Sequence, residues 1–185
     1  MDAFVVPEKH LWERTLNAAI IYDDLDFAAR TAALLERAAI RSDEFVQWDV
    51  KPWRLDLLKP SSLADAALAE TAGVDLMVIA LVKTHVLPDT LLDWLEDWAE
   101  RREVRDAGVM VLCPEETAGP RSSWEQLKEF AELRRLLFLG SRRLSDEGTS
   151  LDLVQQLWRR KQMVLPTLAW SAHAANPPRH WGLNE

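Results

Sequence analysis

The clearest pattern lies over residues 74–98, VDLMVIALVKTHVLPDTLLDWLEDW, where a dense apolar run gives way to a polar connection and then to an amphipathic repeat. Seven of the eight residues from 76 to 83 are apolar and rich in Val and Ile. Such a run suits a strand covered on both faces in a parallel sheet, because a strand with one wet face would alternate. Pro88 fits a helix's first turn, where its missing N–H costs nothing, and Asp89 favours the positive end of the dipole. Leu91, Trp94, Leu95 and Trp98 recur at spacings of three and four, while Asp93, Glu96, Asp97 and Glu100 point the other way. One helix face is therefore expected on the sheet and the other in water.

The theme recurs along the chain. Residues 18–22 (AAIIY) predict a first strand ending in Asp23 and Asp24, and residues 27–39 an Ala- and Leu-rich helix. Its inner stripe is Phe27, Thr31, Leu34, Leu35 and Ala38, and Arg30, Glu36 and Arg37 lie outside. Residues 45–53 (FVQWDVKPW) alternate up to Lys51 and predict a half-buried second strand at or near a sheet edge, which Pro52 helps to end. Ser61 or Ser62 caps a short helix that Gly73 closes. Residues 109–113 (VMVLC) predict the fourth strand, and 114–120 (PEETAGP) a loop at its carboxyl end. Ser122 or Ser123 caps the next helix, with Trp124, Leu127, Phe130, Ala131 and Leu133 as its apolar contacts. Residues 136–139 (LLFL) are that helix's tail or a fifth strand; the strand is preferred because Gly140 follows and the alternation otherwise lacks its last member. Residues 151–163 predict a last helix with Leu153, Val154, Leu157 and Trp158 inward.

Five βα units in succession predict an α/β three-layer sandwich with right-handed crossovers and a five-stranded parallel sheet of order 2-1-3-4-5. The loops after strands one, three and four then share one rim, the usual ligand position in such folds. Residues 1–16 are expected to be an N-terminal extension, 17–163 the α/β domain, and 164–185 a C-terminal tail. The tail's prolines disfavour helix, yet Trp170 and Trp181 suit packing along the domain or on a partner chain.

Charge narrows the function classes. At 185 residues with a formal net charge of −8 the chain has no basic excess for displacing phosphate counterions, so nucleic acid is not an expected partner. Arg134-Arg135, Arg142-Arg143 and Arg159-Arg160-Lys161 read as solvated helix faces. Cys113, the only cysteine, allows neither an intrachain disulfide nor a multi-cysteine metal site. No apolar window approaches the roughly 18 to 20 residues of a membrane span, and the start lacks a basic leader before an apolar run. A cytoplasmic protein without membrane partners is the expectation. The nine tryptophans are scattered rather than grouped, which suits core or interface filling.

Candidate chemistry collects on the predicted rim. Asp23 and Asp24 are placed to share a hard cation such as Mg²⁺, or else to cap the helix that follows. Lys83, Thr84 and His85 stand at the exit of strand three, where a histidine can act as acid, base or metal ligand. Glu115 and Glu116 follow strand four, and with Asp23, Asp24 and His85 they would make a mixed oxygen and nitrogen site. Cys113 is a nucleophile or a buried, inert thiol. No Gly-rich dinucleotide or P-loop signature follows Tyr22, nor does a Ser/Thr phosphate loop, and the turn DDLDF would repel phosphate.

At residues 20–24 the chain resembles response-regulator receiver domains, whose flavodoxin-like fold has a first strand ending in an acidic pair. The βα register agrees over about residues 17–162. The resemblance implies that Asp23 and Asp24 match positions holding Mg²⁺ beside a phosphorylatable aspartate. It also puts Ala80 where that aspartate stands, Cys113-Pro114 where the family has Thr or Ser, and Gly140-Ser141 near the place of a lysine. It thus implies a pseudo-receiver: a non-catalytic signalling or protein-interaction module, self-associating or bound to a protein partner, with no resident cofactor. The KTH and DTLLDWLE stretches and the closing HWGLNE also resemble a family of bacterial proteins. The alternative is a small metal-dependent enzyme or ligand-binding protein with its pocket at Asp23, Asp24, His85 and Glu115.

Overall fold

A computed structural model describes residues 14–41, 46–59, 62–83, 86–112 and 122–141. Five strands, β1 (Arg14–Tyr22), β2 (Val46–Arg54), β3 (Leu76–Ala80), β4 (Gly108–Leu112) and β5 (Leu137–Ser141), form one sheet of order β2-β1-β3-β4-β5. Every neighbouring pair is parallel. The helices α1 (Leu25–Arg41), α2 (Ser62–Thr71), α3 (Asp89–Arg101) and α4 (Ser123–Leu133) alternate with the strands, and a 3₁₀ turn over Leu55–Leu58 follows β2. The expected architecture is thus the observed one: a flavodoxin-like α/β fold.

Alternation along the strands divides the core. Ala19 and Ile21 of β1, Met77 and Ile79 of β3, and Val109 and Val111 of β4 join α2, α3 and α4 in one apolar cluster. Leu16, Ala18, Ile20, Leu76, Val78, Ala80, Met110 and Leu112 face the other way and join Phe27, Leu35 and Ala38 of α1. With both faces covered, all five residues of β3 and of β4 are buried, which is why these strands read as unbroken apolar runs.

Tryptophan chemistry binds α2 to α3. Trp94 Nε1–H donates to the Ala64 carbonyl at 3.2 Å, and Trp98 Nε1–H to the Thr71 carbonyl at 3.0 Å. The second bond joins the Val74 N–H, at 3.2 Å, on a carbonyl at the end of α2 that lacks the usual helical donor. Both indoles are buried, and their role as core fillers follows from the i, i+4 spacing on α3.

Several boundaries differ from the sequence pattern. β1 begins at Arg14, before the apolar run, because Thr15, Leu16 and Asn17 already pair with β2. Pro52 does not end β2 but lies within it, opposite Ile20. β2 is the edge strand, where a missing N–H can face outward without breaking the ladder. Pro88 is the residue before α3 rather than part of its first turn. Gly73 follows α2 without a positive φ; among the described residues that backbone state belongs to Arg135, at φ 56. Arg135 closes α4 in a left-handed cap in which Leu136 N–H reaches the Ala131 carbonyl at 2.8 Å. Leu133, expected inward, is 73% exposed because α4 ends there. Gly140 sits inside β5 rather than after it. The last helix over 151–163, the tail and residues 1–13 lie outside the described residues.

Gly140 explains how α4 seats on the edge of the sheet. A Cβ there would overlap Trp124 Nε1 and meet Phe138 Cε1 at 2.9 Å, and the Trp124 and Phe138 rings meet edge to face at 5.3 Å. Gly140→Ala should therefore lower stability by about 1–3 kcal/mol through overpacking, and adding Trp124→Leu should recover part of the loss. Urea unfolding of wild type and the two variants checks this; a neutral Gly140→Ala would disprove the close approach.

Candidate functional site

The strand order reverses between β1 and β3, so the loops leaving these two strands flank the position where folds of this class open a crevice. Asp23 spans that gap. Its Oδ1 accepts the Val82 N–H at 2.8 Å and its Oδ2 the Lys83 N–H at 2.9 Å, both amides lying just beyond β3. Hydrogen bonds to an ionised acceptor are the stronger kind, so the carboxylate staples the carboxyl ends of the two central strands.

Asp24 turns to the adjacent helix. Its Oδ1 accepts the Phe27 N–H at 3.1 Å, which caps α1. Lys83 Nζ lies 3.4 Å from Asp24 Oδ2 and donates to the Asp23 carbonyl at 3.4 Å. The Phe27 N–H holds the Asp24 carboxyl below its ordinary value, against some desolvation, and the Lys83 ammonium adds to the drop. The structural alternative weighed for this pair, capping, is therefore realised at Asp24. Asp23 does something the local sequence does not signal.

The structure brings together Asp23, Asp24 and Lys83. Thr84, His85, Cys113, Glu115 and Glu116 lie outside the described residues. Among the described residues no three His, Cys, Asp or Glu side chains are gathered as a cation site. Ala80 ends β3, paired with Tyr22 and Leu112, and is fully buried in the apolar cluster under α1.

The described residues also form a concave feature that the pattern of apolar positions does not announce. A groove of about 630 Å³ runs between the start of α3 and α4, lined by Val86, Leu87, Asp89, Glu125, Gln126, Lys128, Glu129 and Glu132. Gln126 Oε1 accepts the Leu87 N–H at 3.1 Å and so ties α4 to the loop after β3. Lys128 Nζ lies 5.4 Å from the centre of the Trp124 ring. The signal that could have found the groove is the acidic spacing of Glu125, Glu129 and Glu132 on one helix face.

No family model and no curated protein matches the chain. Similar solved structures include a mutant flavo di-iron protein from Thermotoga maritima, at 13% identity and a TM-score of 0.49 over 76% of this chain. This chain spans 35% of that protein's length. Another is a flavodoxin-like domain from a Synechococcus sp. protein, at 13% identity and a TM-score of 0.47, covering 77% of this chain and 99% of that domain. The fold assignment itself rests on the strand order. No described helix is long and apolar enough to cross a membrane.

The clamp and the cap are separable by substitution. Asp23→Ala should cost about 2 kcal/mol or more, since two amides lose a charged acceptor. Asp24 behaves differently with pH: its folded-state value is depressed, so its contribution is present above the ordinary value of 3.8 and lost as pH falls through the folded value. The stability gap between wild type and Asp24→Asn should thus be widest near neutrality and close on acidification. Urea titrations across that range measure it, and a gap independent of pH would contradict the assignment.

Proposed function

We propose that the chain is a non-catalytic, receiver-like regulatory or protein-interaction module that is not phosphorylated at the receiver position and carries no resident metal. The observation that supports this reading is the engagement of Asp23. Both its oxygens already accept main-chain N–H groups across the β1–β3 gap, and its neighbour Asp24 is shared between a helix cap and Lys83. An acidic pair engaged in this way acts as a fastener. The methyl group of Ala80, where the receiver resemblance calls for an aspartate, points into the cluster under α1. A carboxylate there would be buried without solvent, at a cost that opposes ionisation. A cytoplasmic setting and a protein partner or second copy complete the proposal.

The test uses the full chain. Incubation with a small phosphodonor and Mg²⁺ should leave the intact mass unchanged, and Mg²⁺ should not raise the melting temperature of either wild type or Asp23→Ala. A hydroxylamine-labile phosphoryl adduct on an aspartate would overturn the proposal. A Mg²⁺-dependent rise present in wild type and absent in Asp23→Ala would instead favour a metal-dependent rim site.

A further inference from the structure

We infer that the groove between α3 and α4 docks a basic, amphipathic segment of a protein partner. The inference deepens the interaction-module reading, on which it rests, by naming the surface and the chemistry that fits it. Glu125, Glu129 and Glu132 recur at i, i+4 and i+7 on α4, and like charges at these spacings disfavour a helix. Asp89 adds a fourth carboxylate from the opposite wall.

Farther along the same helices the fold supplies relief. Arg134, the residue after α4, pairs with Glu96 and Glu100 in the C-terminal half of α3. No described cation pairs with Asp89, Glu125, Glu129 or Glu132. Lys128, the only cation among the described residues that line the groove, holds its ammonium against the Trp124 ring instead. The carboxylates thus face a space large enough for long side chains, and no described cation is paired with them.

The groove is not uniformly polar. Val86, 52% exposed, lines it beside Leu87, and Leu133, 73% exposed, follows Glu132 at the end of α4. A helical segment with apolar residues along one stripe and Lys or Arg beside them would cover Val86 and set its cations against the four carboxylates. Charge complementarity of this kind sets partner choice and speeds encounter. The same negative field excludes nucleic acid and anionic lipid as occupants.

The probe is a synthetic amphipathic peptide containing Lys, Arg and Leu and no acidic residue, titrated into the full chain by fluorescence anisotropy. Binding should weaken with added salt. In the triple variant Glu125→Gln/Glu129→Gln/Glu132→Gln it should fall about tenfold or more, while Asp93→Asn/Asp97→Asn, on the outer face of α3, should bind as wild type does. Absence of binding, or equal binding by the triple variant with an unchanged circular dichroism spectrum, overturns the inference. So does tighter peptide binding by Arg159→Gln/Arg160→Gln/Lys161→Gln, which would assign the groove to the chain's own basic segment. A peptide that fails to bind a chain still inert to phosphodonor removes this surface alone, whereas a phosphoryl adduct removes the module reading itself.

Discussion

One carboxylate, reaching across the seam where the strand order reverses, governs how the rest of this sheet is held. Open α/β sheets separate their loops at such a seam and expose a crevice. Here Asp23 closes it from β1 onto two consecutive amides beyond β3. At the opposite end Asp75, only 9% exposed, makes a matching link: its Oδ2 accepts the Asn17 N–H at 2.7 Å, and its own N–H donates to the Asn17 carbonyl at 2.7 Å. The two central strands are therefore fastened at both ends by aspartates, with an apolar ladder between them.

This fastening spreads outward through neighbouring groups. Lys83, whose amide meets Asp23, returns its ammonium to Asp24, which caps α1, while Leu87 at the far end of the same connection is held by Gln126 of α4. The two indole bonds join α2 to α3 on the same side of the sheet. Movement at the α3–α4 groove would thus be felt at its Leu87 end first. The β1–β3 seam is tied by the Asp23 and Asp75 carboxylates, which accept main-chain N–H groups away from the groove.

Strands β3 and β4 were legible because burial on both faces leaves no polar positions to confuse the pattern. The inner stripes of α1 and α3 were legible because each has one apolar side. What local pattern could not show depends on distant partners. Asp23 meets an amide 59 residues away, so the same two letters suit a cation site, a cap or a clamp until the strands are laid side by side. The left-handed turn at Arg135 has no glycine to announce it, and Gly140 is required by the indole of Trp124 rather than by any turn. Leu133 kept the helical spacing but lost its cover because α4 stops there.

Pro52 has a consequence for the sheet's outer boundary. A strand lying alongside β2 would look for main-chain donors along it, and Pro52 has none to offer. Charged Asp49, Lys51 and Arg54 flank that gap on the same strand. The β2 edge is thereby discouraged from taking on a further strand, whether a foreign one or the same edge of a second copy.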